Sequence, residues 1–571
     1  MKIIFRCLLL PCFLLACLTL PELGVHAQEK SHSTSPKLIL QITVDQLRGD
    51  LPRRYLSKMG PGGFRYLLED GITFVDAHHA HANTETIVGH ATLATGAYPS
   101  AHGLIGNIWL DRDTGQMTYN IEDNRYPLLT ADADVDQATE IDPTQRVART
   151  DGRSPASILV STFSDELTLH TVGAAKVFAV SVKDRGAVSM AGHTGKAFWF
   201  SKSAGEFVTS RFYYDRYPTW VTQFNKAQLP LRYENTEWNL LQTRNNYHFA
   251  DLDDMPWEVS IGQFGRIFPH AYGTRDGKYF NTLLTVSPAG DELTLAFAKT
   301  LIENEGLGED PITDYLAISF SSTDYVGHFF GPSSLEAEDN LLRLDRTLAN
   351  FFAYIDKRIG LENTLIVLSA DHGGPEIPAR LSQLGFEAGY VDTTSWDKQA
   401  GLLRLKEQFG IGNELITKFF PPYVYLNRKE ITKQGLQQAE VEAAVAKEMM
   451  KFDGIALAVS STALEQGRVA DTPITQAILK NHHPQRSGDV FVVFQPNHFI
   501  NDFDSIQVAA THGSPWRYDT YVPIIFAGAG LKPQQVTRKV FTVDVARTLA
   551  AKAGTQPPSG SSGAILPEIL E

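Results

Sequence analysis

The segment Tyr315-Leu316-Ala317-Ile318-Ser319-Phe320 runs directly into Ser321-Ser322-Thr323-Asp324-Tyr325-Val326-Gly327-His328. Its apolar first part predicts a buried strand, and its second part brings a carboxylate and an imidazole four residues apart. A second apolar run, residues 364–368, is followed in the same way by the adjacent pair Asp371 and His372. Carboxylate and imidazole ligands at a strand end are typical of a hydrolase that binds a divalent metal. Two such pairs therefore predict two metals that share one site.

The rest of the chain alternates predicted strands with predicted helices. The first strand is Leu38-Ile39-Leu40-Gln41-Ile42-Thr43-Val44, which ends at Asp45. The other predicted strands cover residues 176–182, 315–320, 364–368, 490–494 and 522–526, and the predicted helices cover residues 63–69, 86–94, 157–169, 292–303, 333–359 and 542–553. The helix over residues 333–359 starts with a predicted capping box of Ser333 and Glu336. This alternation predicts an α/β fold with a mostly parallel central sheet flanked by helices.

Polar residues follow several of the predicted strands. Asp45, Lys183, Asp324 and Asp371 each stand at or just beyond the end of an apolar run. Parallel sheets place their sites at the carboxyl ends of the strands. We therefore expect these four side chains to meet at one edge of the sheet.

Two long stretches interrupt the alternation. Residues of about 200–285 are rich in Tyr, Trp and Asn, and residues of about 376–488 include helical patterning near 437–450. We interpret both as caps or accessory insertions in a single catalytic domain, residues 37–571. The sequence shows no internal repeat. Residues 28–36 form a predicted polar linker.

The N-terminus has the pattern of a targeting segment. Lys2 and Arg6 precede an apolar stretch, and Val25-His26-Ala27 offers small residues for cleavage, so residues 1–27 are a predicted signal peptide. Leu14-Leu15-Ala16-Cys17 gives an alternative, a lipoprotein anchored at Cys17. All three cysteines lie before residue 28, so the mature chain would have no disulfide. The sequence predicts a secreted, periplasmic protein with no membrane span after signal removal.

Composition and charge exclude some classes of function. Hydrophobic residues make up 43% and charged residues 20% of the chain, as in a soluble globular protein. The formal net charge of −14 argues against nucleic-acid binding, which needs a basic face. It leaves room for a local basic pocket that binds a phosphate.

Six side chains are candidate metal ligands: Asp45, Asp324, His328, Asp371, His372 and His512. Each alone has an ordinary alternative, since strand-end Asp residues also cap helices, but the whole set at strand ends favours metal binding. The candidate nucleophile is Thr86, at the start of a predicted helix where a metal and the helix dipole would stabilise an alkoxide. Two alternatives stay open, namely that Thr86 is a plain N-cap and that Thr84 is the nucleophile.

Three further residues are candidate phosphate contacts. Lys183 and Arg185, in Lys183-Asp184-Arg185, suit the binding of phosphoryl oxygens, although they are also compatible with an exposed charged pair. Asn107 offers a hydrogen-bond donor, and its alternative role is that of a turn residue.

Together these motifs resemble the alkaline phosphatase superfamily, and within it the branch of PafA-type alkaline phosphatases and nucleotide pyrophosphatase/phosphodiesterases. The resemblance runs from about residue 38 to 554. Its pieces, in chain order, are Val44-Asp45-Gln46, Thr86 to His90 with Thr95-Gly96, His102-Gly103 with Gly106-Asn107, Lys183-Asp184-Arg185-Gly186, Asp324 to His328, Ser369 to Gly374, and Thr511-His512-Gly513. Glu85, Ile87 and Val88, around the candidate nucleophile, depart from the branch's usual residues.

The resemblance implies a site with two zinc ions. One zinc would bind Asp45, Asp371, His372 and Thr86, and the other would bind Asp324, His328 and His512. Thr86 would form a covalent phosphothreonine, which water then hydrolyses. Lys183 and Arg185, with Asn107, imply phosphate monoesters as small-molecule substrates.

The alternative function is a phosphodiesterase or nucleotide pyrophosphatase on the same metal site. A further alternative is a phosphonate hydrolase or a sulfatase. A sulfatase would need a Cys or Ser in a Cys/Ser-x-Pro/Ala-x-Arg stretch, and none lies near Thr86. A phosphate-binding protein without turnover would lack part of the ligand set, whereas the sequence offers a full one. The oligomeric state does not follow from the sequence.

Overall fold

The computed structural model describes residues 35–503 and 505–571. The predicted signal peptide, residues 1–27, the alternative anchor Cys17 and most of the predicted linker lie outside this range. Among the described residues, no helix has the length and apolarity needed to cross a membrane.

Thirteen strands form the two larger sheets of the described chain. They are β1 (Leu38–Val44), β2 (Ile72–His78), β3 (Val177–Ser181), β4 (Lys196–Ser201), β5 (Glu206–Val208), β6 (Asp314–Phe320), β7 (Thr364–Ser369), β8 (Ile416–Phe420), β9 (Tyr423–Leu426), β10 (Ile455–Ser460), β11 (Val490–Phe494), β12 (Ile524–Gly528) and β13 (Gln534–Phe541). Short two-residue to four-residue strands form four further pairs: Ile108–Asp111 with Gln116–Tyr119, Glu237–Trp238 with His270–Ala271, Gly389–Tyr390 with His498–Phe499, and Asp502–Phe503 with Ile506–Gln507.

The longer helices surround these sheets. They are α1 (Phe64–Asp70), α2 (Thr86–Thr95), α3 (Phe163–His170), α4 (Asp184–Ala191), α5 (Thr219–Lys226), α6 (Phe280–Thr285), α7 (Pro288–Glu305), α8 (Ser322–Phe330), α9 (Leu335–Arg358), α10 (Pro378–Gln383), α11 (Ala400–Phe409), α12 (Arg428–Lys433), α13 (Gln438–Met449), α14 (Ser461–Glu465), α15 (Pro473–Asn481) and α16 (Val543–Ala553).

The central sheet has nine strands in the order β13-β2-β12-β7-β1-β6-β3-β4-β5. Neighbours pair in parallel from β7 through β4, and β2 pairs in parallel with β13. Strand β12 is antiparallel to both of its neighbours, and β5 is antiparallel to β4. The predicted α/β fold with a mostly parallel central sheet flanked by helices is confirmed.

The sheet is buried on both faces, because helices and loops cover each side. Strands β1, β6 and β7 are buried along their whole length, which explains their nearly continuous apolar sequences. One hydrophobic cluster includes Leu40 and Ile42, and a second cluster includes Ile39. Alternate residues of the same strand therefore supply two cores, one on each face.

A second sheet, in the order β8-β9-β11-β10, is antiparallel throughout. Strands β8 to β10 lie within residues 376–488, the second predicted insertion. The predicted strand over residues 490–494 exists as β11 but belongs to this sheet rather than to the central one. A separate hydrophobic cluster, which includes Val424, Val445 and Val490, packs it against α13.

The predicted capping box at the start of the longest helix is wrong. Helix α9 begins at Leu335, and the Ser334 hydroxyl accepts a hydrogen bond of 3.0 Å from the backbone N–H of Ala337. Ser333 lies outside the helix, and its hydroxyl donates to Glu376. Two adjacent serines compete for the same role, and the helix starts one residue later than its sequence pattern predicts.

Candidate active site

Four neighbouring strands bring the predicted site residues to one edge of the central sheet. Asp45 follows β1, Lys183 follows β3, Asp324 lies in the first turn of α8 after β6, and Asp371 follows β7. These strands are adjacent in the order β7-β1-β6-β3, and all four side chains are buried. The structure thus brings together the residues that the sequence placed at strand ends.

Asp45, Asp371 and His372 form the first group of potential metal ligands. His372 Nε2 lies 3.4 Å from Asp45 Oδ1 and 3.4 Å from Asp371 Oδ2. These three atoms are buried and form no hydrogen bond within the described part of the chain. Buried polar atoms are normally satisfied, so this arrangement fits a bound cation.

Asp324, His328 and His512 form the second predicted group. Asp324 Oδ1 lies 3.2 Å from His328 Nε2 and 3.5 Å from His512 Nε2. The rings of His512 and His372 stack with their centroids 3.5 Å apart, so the two groups adjoin. Ligand atoms of Asp324, His372 and His512 also lie within 4.8 Å of one another.

The three histidines are oriented by the protein backbone. The Nδ1 atom of His328 bonds the carbonyl of Ala510 at 2.8 Å. In the same way, His512 Nδ1 bonds the carbonyl of Thr84 at 2.8 Å, and His372 Nδ1 bonds its neighbour Gly373 at 2.9 Å. A carbonyl only accepts, so Nδ1 carries the proton and leaves the Nε2 lone pair free to bind a metal.

The carboxylates and histidines of the buried site shift one another's pKa values. Burial and the neighbouring Asp324 raise the pKa of Asp45, but Lys183 and His372 outweigh them and lower it to about 2. Burial lowers the pKa of His372, but Asp371 and Asp45 raise it to about 9. Burial and the charge of His372 lower the pKa of His512 to about 3. Three carboxylates in one buried region favour cations.

Lys183 lies between the two groups. Its ammonium nitrogen is 2.8 Å from Asp45 Oδ2 and also pairs with Asp324. The residue is buried, which excludes the alternative of an exposed charged pair. Lys183 therefore partly balances one carboxylate from each group.

Thr86 is the first residue of α2 and is buried beside Arg185. Arg185 Nη2 donates a hydrogen bond of 3.1 Å to Thr86 Oγ, while Arg185 Nη1 pairs with Asp142 at 2.6 Å. The N-cap of α2 is Glu85, so Thr86 is not the plain N-cap. The Thr84 hydroxyl donates to the carbonyl of Ser514 at 3.0 Å.

Asn107 is positioned by the start of α2. Its Oδ1 accepts a hydrogen bond of 3.1 Å from the backbone N–H of Ile87, and its own backbone N–H donates to Glu85 at 2.5 Å. Asn107 lines a pocket with a volume of about 100 Å³. That pocket also contains Thr86, Arg185, Asp324, His328 and His512.

The sequence analysis assigned no role to two residues of the site. Gln46 Nε2 donates to Asp324 at 2.7 Å, and the backbone N–H of Gln46 donates to Asp371 at 3.2 Å. Asp142 is buried and pairs with Arg185. The position of Gln46 directly after the predicted ligand Asp45 could have indicated a role in the site. Asp142 lies in a loop whose sequence contains no such indication.

A family profile described as "Type I phosphodiesterase / nucleotide pyrophosphatase" matches residues 39–515. The chain belongs to this family. The match starts in β1 and ends just after His512, so it includes every predicted site residue.

Individual relatives cover almost the whole chain. The alkaline phosphatase PafA of Elizabethkingia meningoseptica is 33% identical, over 95% of this chain and 96% of that protein. A Myroides odoratus protein named "Calcium-transporting ATPase" is 34% identical, over 96% of this chain and 97% of that protein. The crystal structure of wild-type alkaline phosphatase PafA superposes with a TM-score of 0.85 at 31% identity, covering 94% of this chain and 99% of that chain.

Proposed function

We propose that this protein is a zinc-dependent alkaline phosphatase that hydrolyses phosphate monoesters through a covalent phosphothreonine on Thr86. The observation that carries the proposal is one pocket lined by Thr86, Arg185, Asp324, His328 and His512, in which Arg185 donates a hydrogen bond to the Thr86 hydroxyl. The relatives named alkaline phosphatase PafA and PhoV support a phosphomonoester hydrolase.

The donor set fits two zinc ions, because it combines imidazole Nε2 atoms with carboxylates and offers three protein ligands to each ion. Asp45, Asp371 and His372 would hold the first ion together with Thr86. Asp324, His328 and His512 would hold the second. When bound, the ions would supply positive charge that stabilises the attacking and leaving oxygens of phosphoryl transfer.

The chain's own residues would perform two displacements. Thr86 Oγ would give up its proton to solvent and attack phosphorus, the bond from phosphorus to the ester oxygen would break, and the ester group would leave as an alcohol with a proton from solvent. A water oxygen would then attack phosphorus and release a proton, the bond to Thr86 Oγ would break, Thr86 Oγ would regain a proton, and inorganic phosphate would leave. Arg185, already bonded to Thr86 Oγ, would hold the nucleophile and a phosphoryl oxygen.

Lys183, Arg185 and Asn107 support monoesters over diesters. A monoester has one more unsubstituted charged oxygen than a diester, and two buried cations stabilise that charge. The family profile, which is named for phosphodiesterases, supports the second candidate, a phosphodiesterase or nucleotide pyrophosphatase on the same metals.

A substrate panel on the zinc-loaded protein separates these functions. It compares an aryl phosphate, the corresponding bis-aryl phosphate and ATP. ATP is included because the Myroides relative is named as an ATPase. We expect the highest kcat/KM for the aryl phosphate. A higher kcat/KM for the diester would overturn the proposal in favour of the second candidate.

Residues 1–27 are proposed to direct secretion to the periplasm, and 37–571 to form the catalytic domain. N-terminal sequencing of the mature protein tests the first part: a start at Gln28 is expected, and a lipid-modified start at Cys17 would contradict it.

A further inference from the structure

The pocket around Thr86 has an aromatic side as well as a polar side. Six phenylalanines line it together with the site residues: Phe329, Phe420, Phe491, Phe494, Phe499 and Phe503. Phe420, Phe494 and Phe503 keep part of their surface exposed. Aromatic rings that stay partly exposed beside a polar site offer apolar surface to a ligand.

Part of this aromatic side also lines a larger groove. The inner pocket has a volume of about 100 Å³, and the outer groove has a volume of about 850 Å³. Both cavities are lined by Phe420 and Phe503, and they also share Pro143, Pro421 and Ile500. A group attached to a phosphate at Thr86 would therefore pass between these residues as it leaves the inner pocket.

The second sheet supplies much of this wall. Phe420 ends β8, Pro421 and Pro422 lead into β9, and Phe491 and Phe494 belong to β11. The sheet has its own hydrophobic cluster on its other side, including Val424 and Val490. Phe494 also packs against that cluster, whereas Phe420 packs against the cluster that contains Ile39.

The charges of the outer groove balance. Arg146 and Lys418 line it together with Asp392 and Asp502, which gives two cations and two carboxylates. Such a surface has no preference for a ligand of one charge. Selection in the groove thus depends on apolar contact rather than on ion pairing.

We propose that this aromatic groove binds the ester group of the substrate, so that the preferred substrates are phosphate monoesters whose ester group is a flat aromatic ring system. The inference rests on the proposed phosphatase function and adds its substrate class. The polar side holds the phosphoryl group, and the rings of Phe420 and Phe503 remove the aromatic ester group from water.

The test compares 2-naphthyl phosphate with glycerol 2-phosphate in the zinc-loaded wild type and in Phe420→Ala and Phe503→Ala. The ratio of the two kcat/KM values is expected to fall about tenfold in each variant, mainly through the KM for naphthyl phosphate. Phe386→Ala, at a residue that is 58% exposed and lies outside both cavities, is the matched control. A ratio within twofold of the wild-type ratio in both groove variants would overturn the proposal.

Binding without turnover gives a second readout. Naphthylmethylphosphonate keeps a carbon–phosphorus bond and is compared with methylphosphonate as a competitive inhibitor. We expect the naphthyl compound to bind at least about tenfold more tightly to the wild type and to lose this advantage in Phe420→Ala. Failure of the wild type to hydrolyse either phosphate would count against the proposed function, whereas turnover with unchanged ratios would count against the groove alone.

Discussion

The side-chain amide of Gln46 donates a hydrogen bond of 2.7 Å to Asp324, while the backbone N–H of the same residue donates to Asp371. One residue therefore contacts a carboxylate of each proposed metal group. Gln46 has a φ of 64°, and a Cβ at Gly327 would lie only 1.8 Å from its Oε1. A side chain at position 327 would therefore collide with the Gln46 amide in its observed position.

Removal of this contact should weaken metal binding. In Gln46→Ala, Asp324 loses a neutral hydrogen bond that orients it, and zinc affinity of its group is expected to fall about 10-fold to 100-fold. Zinc titration against a competing chelator measures the loss. Gln434→Ala, at an exposed glutamine, is the control. Equal zinc affinity in Gln46→Ala and the wild type would show that Gln46 does not support metal binding.

Replacement of the nucleophile should abolish turnover. Thr86→Ala is expected to lower kcat by about a thousandfold or more, because the hydroxyl that attacks phosphorus is gone, while zinc content stays the same. Stopped assays and metal analysis of the same sample measure both. Thr84→Ala, whose hydroxyl bonds Ser514 instead, should lose less than about tenfold. The reverse pattern would make Thr84 the nucleophile.

Loss of Arg185 should lower kcat/KM more for phosphate monoesters than for phosphate diesters. Arg185→Ala removes a buried cation that contacts Thr86, and it should lower kcat/KM for an aryl phosphate about 100-fold or more. The loss for the bis-aryl phosphate should be at least about tenfold smaller, because a diester has less charge to stabilise. Arg275→Ala, at an exposed arginine, is the matched control. Equal losses for both esters would refute a role in monoester selection.

The buried carboxyl of Glu258, which is not one of the proposed metal ligands, should make the free energy of unfolding depend on pH. Burial and the nearby charge of Glu336 raise the pKa of Glu258 from 4.5 to about 9. The folded state then binds the proton more tightly than the unfolded state. The contribution of this bound proton to stability is complete below pH 4.5 and is lost as the pH rises through about 9.

Glu258→Gln should therefore reduce this loss, since glutamine stays neutral throughout. Urea unfolding at pH 6 and pH 9 gives the free energy of unfolding of each protein. The wild type should lose more of it between the two pH values than Glu258→Gln does, and Glu407→Gln, at an exposed residue, should follow the wild type. A Glu258→Gln variant with the same pH dependence as the wild type would contradict the raised pKa.

The sequence allowed the prediction of those features that depend on short stretches. A buried strand such as β1 or β6 is recognisable as a local apolar run. Because the sheet is parallel, the ligand that follows each strand lies at the same edge of the sheet. Asp45, Asp324 and Asp371 could therefore be placed together from sequence. The start of α9 could not be placed to one residue, because Ser333 and Ser334 are chemically equal candidates for its cap.

Contacts between distant segments were beyond such reasoning. The pairing of Asp142 with Arg185 joins a loop to a helix start 43 residues away. The aromatic wall depends on how β8 and β11 face the metal groups, although β11 looked like one more strand of the central sheet. Neither relationship has a local pattern, because the energy that determines it comes from tertiary packing.

The stereochemical course at phosphorus tests the covalent intermediate most directly. An isotopically chiral phosphate monoester is incubated with the zinc-loaded enzyme and an acceptor alcohol, and the configuration of the transferred phosphoryl group is determined. Two in-line displacements, first by Thr86 and then by the acceptor, predict net retention of configuration. Net inversion would show a single direct displacement and would contradict the phosphothreonine mechanism.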